Sequence, residues 1–148
     1  MKKKIIASIL VLTLTVSMLC ACGTSGSASN TDTSSSTAAG LTLQEYYSDS
    51  THQAELDSTA KSIVESSDSE IKSAEYKVVG NTITWIYQFN YEIVEFNLEG
   101  YKTNIENNID EAFDEMRDMG ITGTITVVYR YLNNDGSELG EITSTNEY

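Results

Sequence analysis

The chain has 148 residues, which is room for one ordinary domain, and its 9 basic and 22 acidic side chains give a formal net charge of −13. This charge argues against nucleic-acid binding, because a protein that binds phosphates needs clustered Lys and Arg. Hydrophobic residues make up 40% of the chain, enough to build a core, and this composition argues against wholesale disorder. Two Cys, one His and no Pro leave little material for a metal site or a catalytic nucleophile, and no cofactor is expected.

The N-terminus has the pattern of a targeting segment. Three basic residues, Lys2, Lys3 and Lys4, precede an apolar run over 5–19. This run of 15 residues is shorter than the roughly 20 that a membrane-spanning helix needs. A basic start followed by a short apolar run is typical of a secretory signal peptide.

The end of this run, Leu19-Cys20-Ala21-Cys22, resembles the lipobox of bacterial lipoproteins. A lipobox has an aliphatic residue three positions before the modified Cys and a small residue directly before it. Leu19 and Ala21 hold these positions relative to Cys22, whereas bulky Leu19 directly precedes Cys20. The resemblance implies a signal peptide over 1–21, cleavage after Ala21 and a diacylglycerol group on Cys22. A disulfide between Cys20 and Cys22 is the alternative, but a single intervening residue strains its geometry.

The next segment, 22–40, is predicted to be a flexible tether. After Cys22 it consists mainly of Ser, Thr, Gly and Ala, and it has no large apolar side chain to bury. Loss of 1–21 would leave six basic against 22 acidic residues, hence a net charge of −16. Because anionic lipid headgroups repel a domain with this negative charge, the lipid group on Cys22 has to hold the protein at the membrane. The partner predicted for this end of the chain is therefore the outer face of the cell membrane.

Residues 41–148 are predicted to form one extracellular domain that begins with two helices. The capping-box pattern, a Ser or Thr followed three residues later by Glu or Gln, occurs twice here, at Thr42 with Glu45 and at Ser50 with Gln53. It predicts a short helix over 43–48 and a longer one over 51–65. A further helix is predicted over 98–119, where apolar residues recur every three or four positions until Gly120.

Two hairpins complete the predicted domain. Apolar residues alternate with other side chains in 83–89 and 125–131, the pattern of half-buried strands. The strands 71–79 and 137–143 are predicted to pair with them. The connecting turns are Gly80-Asn81 and Asn133-Asn134-Asp135-Gly136.

The order of helix, hairpin, helix and hairpin predicts an α+β two-layer sandwich, in which a four-stranded sheet has helices on one face. If the helix 98–119 crosses one face of the sheet, the strands 83–89 and 125–131 are parallel and adjacent. A wholly antiparallel sheet is the alternative.

Several segments of the chain together resemble one known family. They are the lipobox, the Ser- and Gly-rich tether, the helix start at 41–46, the paired hairpins and the segment 130–139. The chain resembles, in these segments, a family of small lipoproteins of Gram-positive bacteria that is built on an uncharacterised domain. The resemblance implies a lipid-anchored, extracellular location, and it implies no activity and no catalytic residues.

The leading functional hypothesis is a non-enzymatic binding or accessory module of the cell envelope, because the tether and lipid are joined to a domain without a catalytic motif. Its partner would be an envelope protein or a wall polymer. The predicted binding surface is the sheet face that the helices leave uncovered: Thr82, Thr84, Gln88, Thr124, Thr126 and Arg130. The alternatives are an envelope hydrolase that uses paired carboxylates and a passive structural lipoprotein.

Two further patterns have both a structural and a functional interpretation. Four aromatic residues alternate along one strand and just beyond it: Trp85, Tyr87, Phe89 and Tyr91. On an open face they would form a stacking platform for sugars, but the helices need a sheet face to pack on, so we predict core packing. Acidic residues cover one side of the helix 98–119: Glu106, Asp110, Glu111, Asp114, Glu115 and Asp118. They predict a solvated helix face, with Ca²⁺ or a basic partner as the functional alternative.

Overall fold

A computed structural model of the chain describes residues 40–67 and 70–147. They form an α+β fold, as the sequence predicts, from these elements: α1 (Leu43–Tyr46), α2 (Ser50–Ser66), β1 (Ile71–Val79), β2 (Thr82–Phe89), α3 (Leu98–Glu106), α4 (Ile109–Asp118), β3 (Ile125–Leu132) and β4 (Glu138–Asn146). The predicted signal peptide, Cys22 and all of the tether before Gly40 lie outside the described residues. Within the described part, no helix combines the length and the apolar character needed to span a membrane.

The four strands form one sheet in the order β1-β2-β3-β4. β1 and β2 form one antiparallel hairpin and β3 and β4 another, while the central strands β2 and β3 run parallel. Parallel strands need a crossover connection, which the segment with α3 and α4 supplies. The prediction of parallel, adjacent central strands is confirmed. β4 continues three residues beyond its predicted end at position 143, because Ser144, Thr145 and Asn146 still pair with β3.

The described chain begins beside the turn between β1 and β2. Gly80 in this turn has a left-handed φ of 57°, as the predicted hairpin requires. The Asn81 side chain accepts a hydrogen bond from the Leu43 N–H (2.9 Å) and donates one to the Thr122 carbonyl (2.8 Å). The Thr122 N–H donates in turn to the Leu41 carbonyl (3.1 Å). These contacts attach the start of α1 and the loop before β3 to the same end of the sheet.

The two N-terminal helices begin with different caps. Thr42 and Glu45 form the predicted capping box: the Glu45 N–H donates to the Thr42 hydroxyl (3.2 Å), and the Thr42 N–H donates to the Glu45 carboxylate (2.8 Å). The second predicted box is wrong, because Asp49 caps α2 by accepting a hydrogen bond from the Thr51 N–H (2.8 Å), and Ser50 is already helical. A carboxylate at this position also interacts favourably with the positive end of the helix dipole.

The helix predicted over 98–119 is two helices, α3 and α4, with a break at Asn107 and Asn108. The Asn108 side-chain amide donates to the Asn104 carbonyl (2.7 Å), which a continuous helix would use for the Asn108 N–H. That N–H donates instead to the Ile105 carbonyl (2.9 Å). An Asn side chain that competes for backbone acceptors in this way favours the end of a helix. The apolar spacing continues across the break, so it predicts one helix where there are two.

The helices pack on one face of the sheet and bury two groups of side chains. The first core cluster contains Leu43, Leu56, Ile63, Ile83, Trp85, Ile109, Phe113, Ile121, Ile125 and Val127. The second core cluster contains Phe89, Tyr131 and Ile142. Residues of α1, α2 and α4 are buried in the first cluster, whereas partly buried residues of α3 pack against the second. The buried residues of β2 and β3 occupy alternate positions, so the opposite face of the sheet belongs to neither cluster.

Candidate functional site

The sheet face opposite the helices, here called the open face, carries most of the predicted binding surface. Five of the six predicted residues lie at its alternate positions on β2 and β3: Thr82, Thr84, Gln88, Thr126 and Arg130. All five are partly exposed. Thr124 precedes β3 and is exposed in the loop before that strand. The parallel pairing of β2 and β3 thus brings together the strand residues that the sequence analysis selected.

The register of the strands aligns threonine side chains in rows across the open face. Thr82 is the cross-strand partner of Thr126, and Thr126 is the partner of Thr145 on β4. The hydroxyl oxygens of Thr126 and Thr145 lie 3.4 Å apart. The next row along the strands contains Thr84 and Thr143. Threonine hydroxyls of three strands therefore line this end of the open face, with Val128 between Thr84 and Thr143 in the second row.

Arg130 and Gln88 are engaged within the domain. The Arg130 Nη2 and Nε both donate to one carboxylate oxygen of Glu141, at 2.7 and 3.0 Å, and a Glu138 oxygen lies 3.6 Å from Nε. The hydrogen bond to Glu141 raises the pKa of Arg130 above its usual value. The Gln88 amide donates to the Asn134 carbonyl (3.0 Å) in the turn between β3 and β4. The threonine rows are consequently the part of the predicted surface that is open to a partner.

The aromatic row lies on the helix-covered face, and the prediction of core packing is confirmed. Trp85 and Phe89 each expose 3% of their surface. Tyr91 lies beyond the end of β2 and packs against the second core cluster. Tyr87 is only partly buried, and it packs against both clusters.

Tyr87 belongs to a group of three tyrosines where the two core clusters meet. Tyr129 also packs against both clusters, and Tyr131 is a member of the second. The ring centroid of Tyr87 is 6.3 Å from that of Tyr129 and 5.7 Å from that of Tyr131. We call these three residues the tyrosine seam. Sequence reasoning missed it because alternation tells which face a side chain occupies but not where two clusters meet on that face.

The hydroxyls of the tyrosine seam lie in surroundings that disfavour their ionised form. Burial, followed by the neighbouring Tyr129 and Tyr131, raises the pKa of Tyr87 well above its usual value. Burial also raises the pKa of Tyr129 to about 12 and that of Tyr131. Within residues 40–67 and 70–147, none of the three hydroxyls has a hydrogen-bond partner, whereas every fully enclosed polar side-chain atom there has one. Each seam hydroxyl therefore keeps some contact with solvent.

The predicted acidic face is divided between α3 and α4. Glu106 on α3 pairs with Lys102 (3.9 Å). On α4, partial burial and the nearby Glu111 raise the pKa of Glu115. Among the residues that the structure describes, no three His, Cys, Asp or Glu side chains are grouped as a metal site, and no Asp or Glu is buried. The Ca²⁺ and paired-carboxylate alternatives gain no support from this geometry.

Comparison with known proteins identifies the domain but not its activity. Residues 43–144 match the model of a domain of unknown function, DUF4854. These 102 residues are more than two-thirds of the chain, and they extend from α1 into β4. No curated protein and no solved structure matches the chain. Because this range contains all four helices, the first three strands and most of β4, the chain belongs to the DUF4854 family.

Proposed function

We propose that the protein is an extracellular lipoprotein, anchored in the cell membrane, that acts as a non-enzymatic binding or accessory module of the cell envelope. The N-terminal sequence carries this proposal. A basic start and the apolar run 5–19 lead to Cys22, with Leu19 and Ala21 at the lipobox positions before it. Cleavage after Ala21 would make Cys22 the first residue of the mature protein and the site of its lipid.

Lipid rather than charge would hold the domain at the membrane. The mature chain carries a net charge of −16, which anionic headgroups repel. Each buried methylene of an acyl chain contributes about 0.8 kcal/mol, so two chains give stable attachment. A flexible tether over 22–40 has an end-to-end distance of about 25 Å, so the domain would work close to the outer face of the cell membrane.

The two cysteines provide a matched test of the anchor. Cys22→Ala removes the acceptor of the lipid and should move the protein from the membrane fraction to the medium or leave the precursor uncleaved. Cys20→Ala removes a neighbouring thiol but keeps Leu19, Ala21 and Cys22, so this control should stay at the membrane. Mass spectrometry of the native protein should show an acylated N-terminal Cys22. Acylation of Cys22→Ala equal to that of Cys20→Ala, read by mass spectrometry, would contradict the assignment.

The open face is the surface that we propose for the partner. Its rows contain Thr82, Thr126 and Thr145, and then Thr84 and Thr143. These hydroxyls donate and accept hydrogen bonds without charge, which suits an uncharged wall polymer or a polar protein surface. The acidic residues elsewhere on the domain would repel anionic polymers, since the net charge is strongly negative.

Site-specific crosslinking in intact cells tests this surface. A photo-activated crosslinker at Thr84 lies on the open face, whereas one at Lys61 lies on the exposed side of α2. Crosslinking to one partner from Thr84 but not from Lys61 is the expected result. Identical products from both positions, or none from Thr84, would contradict a role of the open face and leave the passive structural lipoprotein as the better description.

A further inference from the structure

We propose that one end of the domain docks on the outer surface of the lipid bilayer, so that the domain is held in one orientation and is not attached through its lipid alone. This end, here called the tether end, is the end of the sheet at which the described chain begins with Gly40. The proposal rests on the proposed function, because the lipid on Cys22 would bring the domain to the bilayer.

Contacts between separate parts of the chain assemble the tether end. It consists of four segments: 40–44, 79–82, 119–125 and 144–146. The Asn81 side chain joins the first three, through its hydrogen bonds to Leu43 and Thr122. The fourth segment lies beside the third because Asn146 is the cross-strand partner of Ile125. The four segments therefore lie together at one end of the sheet.

The two ends of the sheet differ in charge. The four segments of the tether end contain no Asp, Glu, Lys, Arg or His. The charged residues nearest to them along the chain are of both signs: Glu45, Lys77, Asp118 and Glu147. The connections at the opposite end of the sheet carry acidic residues and no Lys or Arg: Glu70, Glu92, Glu95 and Asp135. An anionic surface would therefore repel the tether end less than the opposite end.

The tether end also exposes apolar side chains. Three large apolar residues are exposed within the described ranges, and two of them, Leu41 (38%) and Val79 (56%), lie at this end. Apolar side chains without neighbouring charges gain free energy when they enter the headgroup region of a bilayer. The third, Val94, lies at the opposite end between Glu92 and Glu95, which would be repelled there.

These properties favour a bilayer surface as the partner of the tether end. The tether joins the domain at Gly40, so this end would lie within about 25 Å of the lipid on Cys22 before it makes any contact. Such proximity raises the effective concentration, so the weak contacts of a few side chains suffice. The exposed hydroxyls of Thr122 and Thr124 can donate hydrogen bonds to headgroup phosphates.

Fluorophores at the two ends of the sheet test the orientation of the lipidated chain. Cleavage removes Cys20 and acylation blocks Cys22, so Thr124→Cys or Asn134→Cys each provides a single thiol for the fluorophore. The eight residues of β3 separate the two positions by about 26 Å. The probe is a vesicle of phosphatidylcholine and phosphatidylglycerol with a nitroxide quencher on some headgroups. We expect most of the fluorescence to be lost at position 124 and little at position 134. Equal quenching at both positions would overturn the docking.

Two exposed valines separate docking from attachment by the tether, which alone also keeps position 124 nearer to the bilayer. Val79→Glu and Val94→Glu add the same charge at opposite ends of the sheet. With the fluorophore at position 124, Val79→Glu should lower the ratio of docked to undocked domain about fivefold, the effect of one charge at an anionic surface, and Val94→Glu should leave it unchanged. Leu41→Glu should act as Val79→Glu does, and circular dichroism shows whether each variant is folded.

Flotation of the protein with the vesicles separates this proposal from the anchor. If the unchanged chain floats but Val79→Glu, Leu41→Glu and Val94→Glu are quenched equally, the anchor stands and the docking is refuted. If the unchanged chain does not float, the anchor and the docking are refuted together.

Discussion

The hydroxyl of Tyr87 allows the packing of the tyrosine seam to be tested by stability alone. Tyr87→Phe removes this oxygen and keeps the ring that packs against both core clusters. A fully buried polar group without a partner costs about 1–3 kcal/mol, and the Tyr87 hydroxyl, which loses only part of its hydration and gains no partner in the protein, should cost no more than about 1 kcal/mol. For a domain of this size, removal of that cost should raise Tm by about 4 °C.

Thermal unfolding of the full chain, followed by far-UV circular dichroism, measures this shift. Tyr76→Phe serves as the control, because the Tyr76 hydroxyl donates to the Asp57 carboxylate at 2.6 Å and its loss should lower Tm. The two Tyr→Phe substitutions are therefore expected to act in opposite directions. A decrease in Tm for Tyr87→Phe as large as that for Tyr76→Phe would refute the reasoning, because the Tyr87 hydroxyl would then have a partner in the fold.

Three further predictions concern the rest of the domain. Asn81→Ala deletes two hydrogen bonds and should lower the free energy of unfolding in urea by about 1–3 kcal/mol. Ile83, 1% exposed, and Ile86 lie on opposite faces of β2, so Ile83→Ala should cost about 2–5 kcal/mol and Ile86→Ala less than about 1; equal losses would show that the open face is covered. Tyr129 keeps its proton to about pH 12 when folded but only to about pH 10 when unfolded. Stability should therefore be unaffected by this group below pH 10 and fall by about 1.4 kcal/mol per pH unit between pH 10 and 12, a loss that Tyr129→Phe should remove in alkaline titrations.

The sheet could be predicted from the sequence because apolar and other side chains alternate along its central strands, which shows which residues lie on each face. The order of the elements also predicted the parallel pairing of β2 and β3, since a helical crossover between two strands permits it. The helix break could not be predicted in the same way. It depends on the Asn108 side chain taking the Asn104 carbonyl, a local competition that leaves the apolar spacing unchanged. The cap of α2 was missed for a related reason, because Asp49 and Ser50 are both suitable caps and only the backbone geometry distinguishes them.

For the candidate sites too, the sequence predicted what depends on a single strand and not what depends on contacts between elements. Thr82, Thr84 and Thr126 were placed on one surface because alternation applies to each strand separately. The pairing of Arg130 with Glu141 depends on the register of β3 with β4, which the sequence does not specify. The tyrosine seam depends on where the two core clusters meet, and no pattern within a single strand contains that information.

The contacts at the start of the described chain decide how the domain would respond to mechanical force. A pull along the chain ahead of Gly40 first reaches Leu41, whose carbonyl holds the Thr122 N–H. Beyond it, the load passes to the Leu43 N–H and the Asn81 side chain. These bonds, the two hydrogen bonds between Gln44 and Gly80 and the burial of Leu43 would have to give way to release α1 before the hydrogen bonds between the central strands came under tension. A stretched chain should therefore lengthen in a small first step while the sheet stays intact.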